Sequence, residues 1–321
     1  MRTGLKLLAA AAALALAWLA HGVLLLAFFA LVLAVVLSFP VRWLSRLMPR
    51  AGAVLVVLAV LVGAFATVLV VGAPAISDQV EDAMETAPRA LRQARDWLHA
   101  RGAKQVEQKA AQAAQKASEV AVPALIGVVS ATTEGVLVLV LALFLVAAPD
   151  AYRNGVRRLV PREHEPAFDE AYERTGQSLR KWVGGIVVSM TIMGTLAALG
   201  LWIAGINDWL LLGLLTFAGT FVPYVGAVAS AIPGLLIALS QSSSHFLYAL
   251  AVYLGVHVVE GYLVQPLVMK RAVEIKPALL LLGQGLMAAI FGIAGTIVAT
   301  PALVCAQTLV EDLWVERKLR K

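Results

Sequence analysis

Three side chains with chemical potential lie close together in one apolar stretch, residues 246–264. Glu260 is an ionisable group inside this stretch, with His257 three residues before it and Tyr253 seven residues before it. In an α-helix this spacing places all three on one face. A carboxylate beside an imidazole could bind a cation or relay a proton, and a charge inside a membrane is costly without a role or a partner. The alternative is a polar brace that hydrogen-bonds a hairpin turn, and the sequence leaves both open.

The motifs of the common hydrolases and nucleotide-driven proteins are missing from this sequence. It has no His-Glu-x-x-His metal motif, no Gly-x-Ser-x-Gly elbow and no Gly-Lys phosphate loop. No aspartate lies deep in an apolar stretch, which argues against an intramembrane aspartyl protease. We therefore predict a protein that is not an enzyme, with no catalytic residues, no cofactor and no metal site. Energy would come from an ion gradient or from a solute's own gradient.

The composition is that of a polytopic membrane protein. Of the 321 residues, 60% are hydrophobic and 14% are charged, whereas a soluble domain carries about 25% charged residues. The single cysteine, Cys305, excludes an internal disulfide framework. The apolar segments number about eight, and the first two predict a retained helical hairpin rather than a cleaved signal peptide. They are 7–20, 23–39, 51–73, 122–148, 182–204, 209–240, 246–264 and 278–309.

The basic residues between these segments mark one side of the membrane. They cluster before the first segment, after the second, fourth and seventh, and at the end of the chain. The opposite connections hold only His21, Asp208, His245 and one long segment, 75–121. Because lysine and arginine concentrate in cytoplasmic loops, both termini are predicted to be cytoplasmic. The same distribution explains the net charge of +6 without a nucleic-acid partner.

Residues 209–240 are longer than one membrane span but are interrupted at their centre. Proline there removes a backbone donor, and such a break survives in a membrane only where protein or a water-lined cavity satisfies the freed groups. The charges on either side predict a hairpin that enters and returns from the outer side. Broken segments of this kind point to a transport site. The candidate path residues at this turn are Phe221, Pro223, Tyr224 and Gly226.

Residues 278–309 form a second broken segment, and the basic residues around it predict a hairpin that enters from the cytoplasm. Two glycines in 291–295 permit a tight reversal. The candidate path residues here are Phe291, Gly292 and Gly295. A span followed by a hairpin thus occurs twice with opposite orientation, which is typical of an inverted-topology repeat. We predict that the solute or ion site lies between the two turns.

These observations predict an all-α fold in five parts. Transmembrane helices at 1–74 are followed by an extracytoplasmic helical segment at 75–121 and a transmembrane helix at 122–148. A cytoplasmic amphipathic segment at 149–181 then leads to a C-terminal transport core at 182–321 that contains both re-entrant hairpins. In the cytoplasmic segment, one apolar stripe predicts a helix that lies on the membrane or on neighbouring spans. The stripe consists of Phe168, Tyr172, Thr175 and Leu179.

Several runs, taken in order, resemble the autoinducer-2 exporter family of bacterial permeases. The first is Phe-Val-Pro-Tyr-Val-Gly at 221–226, followed by Ala-Ile-Pro at 231–233. The others are the Glu-Gly…Pro run at 260–266, which adds Gln265 and Pro266 to the candidate path, and Phe-Gly-Ile-Ala-Gly at 291–295. The likeness covers nearly the whole chain. It departs at Lys276, where relatives often carry histidine.

The resemblance implies a multi-pass permease of the bacterial inner (plasma) membrane that acts as a homo-oligomer on a small solute or ion. Some relatives are linked to export of the signalling molecule autoinducer-2, and others to sodium/proton antiport. We therefore expect a secondary transporter or exporter of a small solute, such as autoinducer-2. Sodium/proton antiport is the alternative, against which the scarcity of deep carboxylates argues. A non-transporting scaffold is the third possibility, but a scaffold does not require two membrane-embedded breaks.

Overall fold

The computed structural model describes residues 19–67, 132–264 and 275–313, and all regular structure in these ranges is helical. The predicted all-α class is therefore confirmed for this part of the chain. Two connecting turns are also helical, a 3-10 turn at Arg162–His164 and a π-helical turn at Glu260–Val264. The helices are α1 (His21–Leu44), α2 (Arg50–Thr67), α3 (Thr132–Ala147), α4 (Pro149–Arg157), α5 (Glu165–Ile203), α6 (Trp209–Gly219), α7 (Val225–Gln241), α8 (Ser243–Val259) and α9 (Pro277–Val310).

Four of the described helical stretches are long and apolar enough to cross a membrane. A fifth span would need α3 and α4 to act as one, yet their axes meet at 85°. The predicted total of eight segments and the inverted repeat are not confirmed by the described residues. The extracytoplasmic segment at 75–121 and most of the first apolar segment lie outside them. The four stretches are His21–Leu44, Arg162–Ile203, Ser243–Val264 and Pro277–Leu313.

The described residues divide into two compact units. The first contains 19–58, 132–180 and 275–313, and the second contains 59–67 and 181–264. The boundary falls inside α5, which runs without a break through residue 181. The division between the units thus lies one residue from the predicted boundary at 181, within a continuous helix.

In the first unit, α1 packs along α3 and also against α9. Its buried face consists of Ala30, Ala34, Leu37 and Val41, which recur at intervals of three and four residues as helical packing requires. The C-terminal end of α3 is capped from outside, because Nη2 of Arg50 donates a hydrogen bond to the carbonyl oxygen of Val146 at 3.1 Å. A cation at this end of a helix also complements the helix dipole.

Helix α9 is not one straight helix. Gly292 has φ 64° and ψ −144°, a conformation that glycine adopts far more readily than other residues. Gly283 and Leu303 are about 30 Å apart in a straight helix, yet a Cβ on Gly283 would lie 2.6 Å from Cδ1 of Leu303. The two limbs therefore run antiparallel, and their reversal lies within the predicted turn at 291–295. We call this element hairpin B.

The second unit is built around α6 and α7, which form hairpin A, together with α8 and the apolar part of α5. Helix α7 packs against both α6 and α8. Two glycines of α5 let α6 and α8 pack closely against it. A Cβ on Gly194 would lie 2.6 Å from Cβ of Phe217 in α6, and a Cβ on Gly200 would lie 2.6 Å from Cγ1 of Val252 in α8. The core of the unit includes Leu201, Leu212 and Ala238, all completely buried.

Replacing Gly295 with alanine should destabilise hairpin B. A Cβ there would collide with the backbone carbonyl of Met287 on the opposite limb, and overpacking of this kind costs about 1–3 kcal/mol. Gly285, on the same hairpin, is the matched control, because a Cβ there meets nothing within 4 Å. Its replacement by alanine should leave stability unchanged or raise it by up to about 1 kcal/mol.

Thermal unfolding of both purified variants in detergent, followed by circular dichroism, compares them directly. Equal unfolding temperatures for Gly295→Ala and Gly285→Ala would contradict the folded-back geometry of hairpin B.

Candidate functional site

Hairpin A reverses direction over residues 220–224, where the backbones of its two limbs nearly touch. A Cβ on Gly226 would collide with the carbonyl oxygen of Gly219, and a Cβ on Gly219 would lie 2.7 Å from the carbonyl oxygen of Gly226. Part of the turn's backbone is hydrogen-bonded within the hairpin, because the N–H of Val222 donates to the carbonyl oxygen of Gly219 at 2.9 Å and that of Gly226 donates to Val222 at 2.8 Å. The break predicted from the sequence is thus a closed, hydrogen-bonded tip.

Tyr224 is the strained residue of this tip. It has φ 65° and ψ −57°, and the N–H of Val225 donates across it to the carbonyl oxygen of Pro223 at 2.8 Å. These values describe a γ-turn with a positive φ, which is rare and strained. Strain of this kind costs on the order of 1–3 kcal/mol and clusters at ligand-binding and switching segments. The Tyr224 side chain is 40% exposed, so its ring is available to a ligand.

Phe221 anchors the tip to the neighbouring helix. Its ring meets the ring of Trp182 edge-on, with centroids 5.6 Å apart and an interplanar angle of 78°. Trp182 is only 2% exposed, at the start of the apolar part of α5. Phe221 therefore holds the tip in position, whereas Tyr224 presents a surface.

The structure brings Glu260 and His257 together. Nδ1 of His257 lies 3.2 Å from Oε2 of Glu260, a distance at which a protonated Nδ1 donates a hydrogen bond to the carboxylate. Both groups are partly buried, with 32% and 19% of their side-chain surface exposed. Glu260 also begins the π-helical turn, and such turns inside helices are frequent at functional sites. Gln265 and Pro266, which we predicted beside this pair, lie outside the described residues.

Tyr253 is separate from this pair and packs against hairpin A. A Cβ on Gly234 of α7 would collide with the hydroxyl of Tyr253, so the two residues face each other across the antiparallel helices α7 and α8. From Tyr253, Glu260 lies seven residues further along the chain, or about 10 Å along the helix axis. Because α7 runs in the opposite direction, the residue that lies the same distance from Gly234 in this direction is Ala227, next to the tip. The carboxylate–imidazole pair is therefore level with the tip of hairpin A.

The tip of hairpin B lies near the start of α1, whereas the basic residues of this region follow the end of α1. The ring of Phe291 contacts the ring of His21, at the start of α1, with centroids 5.7 Å apart. At the other end, past α9, Asp312 accepts a hydrogen bond from Nη1 of Arg174 at 2.6 Å. Hairpin B thus opens toward the N-terminal part of α5 and has its tip at the His21 end. Gly292 forms its turn, and Gly295 is buried just behind it.

Sequence reasoning missed two structural contributors, Asp312 and Gly219. The side chain of Asp312 is 3% exposed and pairs with Arg174, which is 138 residues away in the chain. A lone aspartate in a charged tail gave no sign of this contact. Gly219 could have been found, because it and Gly226 flank Pro223 at nearly equal distances. Among the described residues, no group of three or more histidine, cysteine, aspartate or glutamate side chains could hold a metal ion.

Several membrane-length helices and two broken hairpins define a multi-pass membrane protein, and sequence comparison gives its family. The chain belongs to the AI-2E transport family, since the model described as "AI-2E family transporter" matches residues 7–314. The resemblance seen in the sequence motifs is thereby confirmed. This family is a family of transport proteins.

Three relatives are named as candidate transport proteins or permeases. MT0215 of Mycobacterium tuberculosis is 28% identical, with 88% of this chain and 81% of the relative covered. YrrI of Bacillus subtilis is 25% identical over 50% of this chain and 46% of its own length. PerM of Escherichia coli K12 is 26% identical over 57% of this chain and 52% of its own length. The aligned part of the chain thus spans about half of YrrI and PerM.

Replacing Tyr224 with glycine should relieve the strain at the tip without loss of stability. Glycine adopts a positive φ at little cost, and its greater freedom in the unfolded chain offsets part of the gain. We expect the free energy of unfolding to stay the same or to rise by about 1 kcal/mol. Tyr248→Gly is the matched control, because this 56% exposed tyrosine lies within α8, where glycine costs about 1 kcal/mol.

Chemical denaturation of the two variants in mild detergent measures the difference. Destabilisation of Tyr224→Gly equal to that of Tyr248→Gly would show that Tyr224 is not strained.

Proposed function

We propose that this chain is a secondary transporter that moves a small solute across the membrane, with a site at the tip of hairpin A. One observation carries the proposal. The ionisable pair of His257 and Glu260 is level with a strained turn that exposes Tyr224. Family membership gives the class of protein, and this arrangement supplies an aromatic surface and a titratable group for one site.

Hairpin A is proposed to be re-entrant. Its limbs have 11 and 17 residues, or about 16 and 25 Å of helix, whereas the hydrocarbon core of a bilayer is about 30 Å thick. Each limb is thus too short to cross alone without thinning of the bilayer. A tip that ends inside the membrane needs its backbone groups satisfied by protein, and the hydrogen bonds within 219–226 meet part of that need.

The pair of His257 and Glu260 is proposed to hold the coupling proton or cation. At a separation of 3.2 Å, the imidazole and the carboxylate can share one proton. A cation or a hydrogen-bond donor on a solute that binds the carboxylate would compete with that proton. Tyr224 and Pro223 would form the wall of the site.

Hairpin B is proposed to contribute to the transport path through Phe291, Gly292 and Gly295. Its tip has the same kind of backbone break, and its open end lies beside Arg174 of α5. The inner-membrane location, the cytoplasmic termini and the homo-oligomer remain predictions of the sequence.

Removing the charge of Glu260 should lower transport while leaving the protein folded. We expect Glu260→Gln to reduce flux in proteoliposomes by about tenfold or more, equivalent to about 1.4 kcal/mol of lost stabilisation, or to change its pH dependence. Glutamine keeps the size of the side chain, so expression and unfolding temperature should not change. Glu163→Gln, on the exposed 3-10 turn, is the matched control and should transport normally.

Autoinducer-2 is the first solute to assay, followed by other small polar solutes, under imposed proton and sodium gradients. An absence of flux for the parent protein under every gradient would refute the transporter proposal. Sodium movement coupled to counter-moving protons, without any solute, would replace it with antiport. Growth in high sodium or lithium with and without the gene is an independent check on that outcome.

A further inference from the structure

Three observations locate the membrane surface beside α4. Helix α1 packs along α3, and Arg50, the first residue of α2, donates to Val146, so the turn between α1 and α2 lies level with the end of α3. Trp43 is 64% exposed at the end of α1, and tryptophan is enriched at membrane–water interfaces. Helix α4 begins at Pro149, just past this level, and its axis is bent by 85° from that of α3. It therefore runs along the membrane surface.

One face of α4 is fixed to α5 by ion pairs. Arg153 bonds Asp169 at 3.0 Å and Glu173 at 3.1 Å, and Arg157 bonds Glu165 at 2.9 Å. The pKa of Arg153 is raised, chiefly by its hydrogen bond to Asp169. Two arginines one turn apart leave α4 little freedom to rotate about its axis. The directions in which its other faces point are therefore fixed.

A different face of α4 carries an apolar stripe. Tyr152, Val156 and Leu159 are spaced by four and three residues, so they form one line along the helix and the turn that continues it. They are 45%, 52% and 84% exposed. Arg158 directly precedes Leu159 in the chain, and Arg162 follows it by three residues. Both arginines are exposed, and neither forms an ion pair with any residue in the described ranges.

We propose that this apolar stripe docks α4 onto the bilayer and that Arg158 and Arg162 bind the headgroups of anionic phospholipids. An amphipathic helix with basic residues beside its apolar face binds membranes in this way, and basic segments next to a span favour anionic lipid. The orientation of α4, its exposed apolar side chains and the two unpaired charges all fit this one occupant. The inference concerns the membrane surface and does not rest on the transport function.

The test places a fluorescent label on each side of α4. Leu159→Cys and Asn154→Cys, each in a Cys305→Ala background, are labelled with bimane and reconstituted in phosphatidylcholine liposomes with and without phosphatidylglycerol. Lipids with brominated acyl chains should quench the label at position 159 several-fold more than the label at 154. Phosphatidylglycerol should increase quenching at 159, and high salt should reduce that increase because it screens the charges.

Arg158→Gln and Arg162→Gln together should abolish the effect of phosphatidylglycerol while the unfolding temperature in detergent stays unchanged. Equal quenching at positions 154 and 159 would overturn the docking proposal. A label at 159 that is protected from brominated lipid and from aqueous iodide alike would also overturn it, because a protein surface would then cover the stripe. A lipid effect that persists in the double variant would refute the role of the two arginines.

Discussion

The fold depends on the close approach of backbones at glycine residues inside apolar stretches. In a bilayer, a chain that reverses direction must satisfy its backbone groups within the protein, and the two limbs must then meet with little side-chain volume between them. Gly219 and Gly226 meet this need in hairpin A. In hairpin B, Gly292 makes the turn, and Gly295 lets the returning limb pass the backbone of Met287.

The same use of small residues positions the chemistry. Gly234 leaves room for the ring of Tyr253, which fixes the register of α8 against α7. That register brings Glu260 level with the tip of hairpin A, although the two are more than 30 residues apart in the chain. Apolar side chains gain nothing by leaving lipid, so close van der Waals packing of helices must supply the stability. The position of the ionisable pair is thus a consequence of glycine placement.

Features with a local cause could be predicted from the sequence, and features with a distant cause could not. The breaks at Pro223 and Gly292 follow from the backbone properties of proline and glycine, and the contact of His257 with Glu260 follows from helical spacing. The positive φ of Tyr224 depends on the closed turn around it, and no sequence pattern specifies it. The capping of α3 by Arg50 joins residues 96 apart. The predicted number of membrane segments is not confirmed, since four of the described helical stretches are long and apolar enough to cross a membrane and one of them, α9, folds back on itself.

The described contacts of Glu260 bear on both of its interpretations. A polar brace would tie α8 to the turn of hairpin A, but the described side-chain hydrogen bond of Glu260 goes to His257 in its own helix. The packing of Tyr253 against Gly234 already joins α8 to α7. Among the described residues, α7 and α8 are therefore joined by packing and not by the carboxylate, which is partly buried at a cost. This is the arrangement expected if the carboxylate binds a proton, a cation or a polar solute, as proposed for the tip of hairpin A.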